Sequence, residues 1–309
     1  MLKKKVLAVF LALALVVGAG ITFSGEADAF FGWFRSDDDQ TYAQVRGSDT
    51  MVNLGQSLAE SFMEQSDYDV SVTGGGSGTG IAALINNEVD IANVSREMSD
   101  SELEQAAANG VDVHTHVIAM DGLAVVVNEN NPVRDLTIEE IGAIFRGDIT
   151  NWSEVGGPDM EISMYGRQSN SGTYVFFRDN VLEDDYSDHK NRMNGTAQII
   201  EGVLNDESAI GYGGIGYAVS DGEARDGLGV INVAVDEDSE YATPLEPSNV
   251  ETGAYPLARP LFNYTNGEPA GAVLDYLKFA IGSEGQEVAV DTGFYPISPD
   301  FDHYNSDLE

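Results

Sequence analysis

The sequence predicts an α/β fold built as two lobes. Three observations carry this: strand–turn–helix units recur along the chain, apolar residues in the helical stretches fall three and four apart, and two helices close the chain after a long extended crossover. With 309 residues, 42% of them hydrophobic, there is enough apolar surface for two cores.

The elements follow in order. "YAQVR" (42–46) reads as a strand, "GSDT" (47–50) as a tight turn, and "MVNLGQSLAESFMEQ" (51–65) as a helix with Leu54, Leu58 and Phe62 on one face. "DVSVT" (69–73) then leads through "GGGSGTG" (74–80) into a helix carrying Ile81, Leu84 and Ile85, and "VDIANV" (89–94) returns as a strand ending at Ser95 and Arg96. "HVIAMDGLAVVVN" (116–128) is one long β-rich run, and "DLTIEEIGAIF" (135–145) opens a helix with Thr137 and Glu140 as a capping box. "EISMYG" passes through "RQSNSGT" (167–173) into the helical "YVFFRDNVL", and "SAIGYGGIGYAV" and "LGVINVAV" read as glycine-rich strands. The proline-bearing "AYPLARPLFNYTN" (254–266) is the crossover, followed by helices in "AGAVLDYLKFAI" and "SEGQEVAVDTG". Sheets in such an arrangement are largely parallel. Lobe one is expected over 41–124 plus 255–309 and lobe two over 125–254, with the ligand cleft between them.

Residues 1–29 combine Lys3, Lys4 and Lys5, an apolar run, and small residues Ala27 and Ala29, which predicts a secretory signal peptide cleaved after Ala29. A retained membrane anchor is the competing reading, since the apolar run approaches spanning length. Residues 30–41 read as a flexible arm. There are no cysteines, hence no lipoprotein anchor and no disulfide framework.

The whole chain carries a formal charge of -37. Cleavage would leave three fewer than its 15 basic residues and two fewer than its 52 acids, a charge of -38. Nucleic acid and anionic membrane are excluded as partners, because both need basic surface. Acidic clusters such as "SDDDQ" lack the EF-hand pattern and read as solvated surface, of the kind suited to concentrated salt.

Against this background the Ser/Thr-rich turns stand out. "GSDTM" (47–51), "GGGSGTG" (74–80) and "SGT" (171–173) each lie where a strand ends and a helix begins, a position that presents free backbone N–H groups and partial positive charge. One such turn is an ordinary helix cap. Three of them on an α/β sheet converge on one crevice, and Arg167 and Arg96 add guanidinium forks suited to a tetrahedral oxyanion. "GYGGIG" (211–216) and "GTGIAA" (78–83) are poor dinucleotide fingerprints, "GGGSGTG" lacks a P-loop lysine, and no G-x-S-x-G elbow occurs. His114 and His116 lack a third metal ligand. No cofactor and no metal site is expected.

The blocks "GSDTM", "GGGSGTGIAALINNEVDIANVSREM", "HVIAMDGLAVVVN", "LTIEEIGAIFRGDITNWSEVGG", "GRQSNSGTYVFF" and "AIGYGGIGYA", in this order over residues 42–295, resemble the PstS family, the phosphate-binding proteins of high-affinity phosphate ABC transporters. The resemblance implies a two-lobed type II periplasmic-binding-protein fold. It also implies a ligand site of Ser48, Thr50, the Met51 backbone, Ser77, Arg167, Ser171, Gly172 and Thr173, to which the strand end after "VDIANV" adds Ser95 and Arg96 as candidates. Many members carry an aspartate at the strand end after "VDIANV". Here that position looks to be Arg96, and Asp121 is the candidate replacement acceptor, which leaves selectivity among oxyanions open.

The expected function is therefore that of a monomeric, non-enzymatic receptor, exported from the cytoplasm, that captures inorganic phosphate and delivers it to an ABC transporter permease. Sulfate, molybdate or tungstate is the rival ligand. A secreted phosphatase and an adhesive surface protein are rivals of other classes.

Overall fold

The computed structural model describes residues 41–220 and 222–308. The signal peptide expected over 1–29 and all but the last residue of the arm expected over 30–41 lie outside the described residues. Among those described, no helix is long and apolar enough to cross a membrane.

In chain order the strands are β1 (Tyr42–Gly47), β2 (Asp69–Thr73), β3 (Ile91–Val94), β4 (Val113–Gly122), β5 (Ala124–Asn128), β6 (Asp135–Thr137), β7 (Ser163–Arg167), β8 (Asn191–Met193), β9 (Ala209–Gly213), β10 (Val219–Ser220), β11 (Glu223–Ala224), β12 (Leu228–Val230), β13 (Asn232–Ala234) and β14 (Ala258–Asn266). They build two five-stranded sheets, ordered β2-β1-β3-β14-β4 and β12-β5-β9-β7-β8, and two small two-stranded ones. The expectation of largely parallel sheets holds for only part of each. β1, β2 and β3 are parallel, but β14 runs antiparallel to both β3 and β4; β7, β8 and β9 are parallel, while β5 and β12 are antiparallel additions.

Local rules account for most elements. The helix Val52–Met63 buries Leu54, Leu58 and Phe62, each burial worth about 1.5–3 kcal/mol. The helix Ile138–Arg146 begins at the predicted capping box, Thr137 with Glu140, and ends on Gly147 in the left-handed region. The C-terminal helices Gly271–Ile281 and Ser283–Asp291 pack on the helix Val52–Met63, and the first of them also on β1 and β4, so the end of the chain returns to the first sheet.

Three segments depart from the sequence reading. The run 116–128 is two strands in different sheets: the chain leaves the first sheet at Gly122, crosses at Leu123 and enters the second at Ala124. Period-two burial cannot register that change, since every residue from His116 to Asn128 is buried. The crossover 254–266 is largely a strand, β14, at an inner position of the first sheet. Pro260 is tolerated there because β3 pairs only with Phe262–Thr265, leaving no ladder bond on that side for a missing N–H to break. "SAIGYGGIGYAV" is a strand only to Gly213, after which Ile215–Tyr217 form a 3-10 turn.

The chain crosses between the sheets again at Tyr255–Leu257, and the two crossings are bonded to each other. The Leu123 N–H donates to the Leu257 carbonyl at 3.1 Å, and the Tyr255 hydroxyl donates to the Leu123 carbonyl at 2.7 Å.

Candidate functional site

The turn after each parallel strand of the first sheet delivers a hydroxyl to one point. After β1, the Ser48 hydroxyl donates to Ser95 Oγ at 2.9 Å, and Thr50 Oγ1 lies 2.6 Å from Thr173 Oγ1. After β2, Ser77 Oγ lies 3.3 Å from Ser95 Oγ and accepts from the Ser95 N–H at 3.1 Å. Ser95 itself follows β3, and its hydroxyl is 3.4 Å from Thr173 Oγ1. All five residues are buried. Thr173 sits in the first turn of the helix Gly172–Phe177, which follows β7 of the second sheet, so hydroxyls from both sheets meet.

Helix capping explains none of these five side chains. Ser171 is an N-cap, accepting from the Tyr174 N–H, whereas Ser48 makes no cap hydrogen bond and Ser77 lies inside its helix, Ser77–Ile85, with Gly76 as the cap. Glycines make the approach possible. Gly76 holds φ at 92°, which favours glycine, and a Cβ there would come 2.7 Å from the Asn170 carbonyl of the "RQSNSGT" loop. That loop is tied down by Asn170, which donates to the Gly75 carbonyl and accepts from the Gly78 N–H, both at 2.9 Å. A Cβ on Gly172 would overlap the Ser77 hydroxyl.

Two buried arginines flank the hydroxyls. Arg167, at the end of β7, donates through Nη1 to Thr196 Oγ1 at 3.1 Å and through Nη2 to the Asn194 carbonyl and to Asp49, the residue beside Thr50; its Nε is buried without a partner. Arg259, from β14, donates through Nη2 to Thr173 Oγ1 at 3.0 Å and through Nη1 to the Ser95 carbonyl at 2.9 Å. Its Nε and Nη2 both reach Asp121 Oδ2, at 3.0 and 2.8 Å. Burial lowers the basicity of Arg259 and the Asp121 carboxylate opposes that, so the guanidinium keeps its charge. Asp121 Oδ1 accepts from the Ile215 N–H at 2.9 Å, and at Gly214 the absence of a Cβ leaves room for the Thr50 methyl beside this carboxylate.

The structure thus brings together Ser48, Thr50, Ser77, Ser95 and Thr173 from the predicted set, with Ser171 and Gly172 adjacent, and sets Arg167 and Asp121 at the margin. The Met51 N–H is turned inward and closes the local turn on the Ser48 carbonyl. Arg96 is not part of the cluster: its guanidinium makes two 2.7 Å bonds to Glu102, the acid of the Ser99 capping box. The strand ending directs Ser95 inward and its neighbour outward, because successive side chains on an extended chain face opposite ways. Arg259 and Asp49 were missed. A lone arginine between apolar residues in "PLARPLF" is the one signal that pointed to the first; nothing local distinguishes Asp49 from other acids.

Behind Arg167 lies Lys190. Its ammonium sits 3.1 Å from the centre of the Tyr186 ring and donates to the Arg167 carbonyl at 3.4 Å, while the Arg167 N–H donates to the Tyr212 hydroxyl at 3.3 Å. Burial, with a smaller push from Arg192, brings the Lys190 amine down to about 7.

Residues 35–284 match the family model for the PBP superfamily domain. A phosphate-binding protein PstS of Staphylococcus saprophyticus is 32% identical over 273 residues, covering 85% of this chain and 83% of that protein. The chain belongs to the PstS family. The PstS of Bacillus subtilis is 29% identical over 310 residues, covering 94% and 92% of the two chains. The substrate-binding protein assigned to a phosphate ABC transporter of Clostridium perfringens, whose crystal structure contains bound phosphate, superposes with a TM-score of 0.73 at 26% identity, covering 83% of this chain and all of that one. The PstS family fold is thereby that of the type II periplasmic binding proteins, as the resemblance implied.

Proposed function

We propose that this protein is an extracytoplasmic receptor that captures inorganic phosphate and delivers it to the permease of an ABC transporter, without catalysing a reaction. The observation that carries this reading is the meeting of five hydroxyl-bearing residues, Ser48, Thr50, Ser77, Ser95 and Thr173, under Arg259, with Arg167 alongside. Charge-assisted hydrogen bonds contribute about 1.5–3 kcal/mol each, and several on one small ion support micromolar or tighter binding after the entropy of association. These donors act at contact, whereas the acidic exterior acts through solvent and is screened within about 8 Å at physiological salt.

Asp121, which shares the Arg259 Nη2 group with the Thr173 hydroxyl, favours an anion that carries a proton. Phosphate does at neutral pH, and sulfate does not. The lobes that close on the anion are 41–124 with 255–309 and 125–254, and the bonded crossings at Leu123 and Tyr255–Leu257 are the natural hinge. Titration calorimetry tests the assignment: phosphate should bind in the micromolar range or tighter and sulfate at least about 100-fold more weakly. Absence of phosphate binding would refute it.

A further inference from the structure

Lys190 lies immediately before β8 with only 5% of its surface exposed, and no carboxylate pairs with it among the described residues. The groups that face it are neutral or positive: the Tyr186 and Tyr174 rings at 3.1 and 4.4 Å, the Arg167 carbonyl at 3.4 Å, Tyr212, whose hydroxyl shares the space above Gly166 with the lysine stem, and Arg192, whose charge opposes its own. The acids nearby in the chain, Asp184, Asp185 and Asp188, are exposed, as is His189, and Asp188 lies 3.9 Å from Arg192. A chain of 52 acids and 15 basic residues thus leaves this ammonium buried without a counter-charge. Such an arrangement costs stability until an opposite charge arrives.

The position of Lys190 connects it to the anion site. Lys190 holds the main-chain carbonyl of Arg167 while the Tyr212 hydroxyl holds the Arg167 N–H, so the two fix the backbone from which the Arg167 guanidinium projects. That guanidinium pairs with Asp49 and keeps a buried Nε without a partner. The charges of Arg167 and Asp49 cancel, as do those of Arg259 and Asp121, which leaves the charge of Lys190 uncompensated behind the hydroxyl cluster. One arginine side chain of buried protein separates the ammonium from the open Nε, and salt screens charges in such surroundings far less than at the surface. Burial brings the Lys190 amine down to about 7, so its charge comes and goes near neutral pH, and an anion at the Arg167 Nε draws a proton onto it.

We infer that Lys190 is a positioning residue of the anion site: when protonated it supplies a second positive charge behind Arg167, and it thereby ties phosphate affinity to pH. The inference rests on the receptor reading above. Because coupling between two binding events is reciprocal, the proton on Lys190 strengthens phosphate binding by the same factor by which phosphate strengthens the hold on the proton.

Calorimetric titration of the full-length protein with inorganic phosphate, on the parent and on Lys190→Met, tests it. The variant should bind about five- to tenfold more weakly than the parent at about pH 6, where the amine is charged, and within about twofold of it at about pH 9, where the amine is neutral. Phosphate's own ionisation is common to both proteins and cancels in the comparison at each pH. A second measurement needs no variant to fold: carbon NMR of the Lys190 Cε in the parent should show its titration midpoint rising by about one pH unit in saturating phosphate. An equal loss of affinity at both pH values would reduce Lys190 to a structural prop for Arg167 and overturn the inference. So would an unmoved midpoint, or a variant that matches the parent throughout, and in each of these cases the receptor reading stands. Failure of the parent itself to bind phosphate would overturn both.

Discussion

Arg259 and Asp121 face each other directly across the antiparallel pair β14 and β4, and both side chains are buried, so the register of one strand pair sets this buried charge pair. The same guanidinium bonds Thr173 and the Ser95 carbonyl, which ties the second sheet to the first through one side chain.

Removing one partner strands the other. Asp121→Ala should cost about 3–5 kcal/mol of stability in chemical denaturation, the usual penalty for an unpaired buried charge. The double variant Asp121→Leu with Arg259→Met should recover much of that loss yet bind no phosphate by calorimetry. Recovery of binding in the double variant would place the pair outside the site.

Arg167→Ala should weaken phosphate binding by several kcal/mol, since it deletes charge-assisted donors beside Thr50. Calorimetric affinity equal to that of the parent would remove Arg167 from the ligand's contacts.

Gly172→Ala places a methyl where the Ser77 hydroxyl lies. Overpacking of this kind costs about 1–3 kcal/mol, and it should appear as weakened phosphate affinity together with a lowered melting temperature. An alanine variant that binds like the parent would show that the two segments move apart freely.

Lys190 gives a pH signature. Its amine titrates near 7 in the folded protein and at its ordinary value, above 10, when unfolded. Between these values the unfolded chain binds the additional proton, so this group makes stability rise with pH from about 7 to above 10 and costs stability at neutral pH. Lys190→Met should be more stable than the parent at pH 7, with the advantage shrinking by pH 9 in parallel denaturation curves. An advantage independent of pH would mean that the charge is not the cause.

The net charge of -37 predicts a salt requirement. As salt rises from about 0.1 to about 1 M the screening length falls from about 10 to about 3 Å, and the melting temperature should climb as self-repulsion fades. A flat melting temperature over that range would mean the acids are already neutralised by local partners.

Much of the site is legible in the sequence. Thr50, Ser77 and Thr173 stood out because a hydroxyl between strand and helix is a local pattern, and Arg167 because cations are scarce. Arg96 drew attention for the same reason and was misleading, since a side chain's direction at a strand end depends on one step of register. Arg259 lies 138 residues from Asp121, and no window of sequence contains that pairing. The split of 116–128 between two sheets was invisible because both halves are fully buried.

By itself the sequence determined the alternation of strands and helices, the caps, the family resemblance and the acidic exterior, all of which depend on neighbours within a few positions. Only the tertiary structure decided which hydroxyls meet, that an arginine from β14 stands over them, and that Arg96 pairs with Glu102 rather than joining the cluster. Those outcomes depend on strand order and register, which join residues far apart in the chain and are fixed by packing the two sheets as wholes.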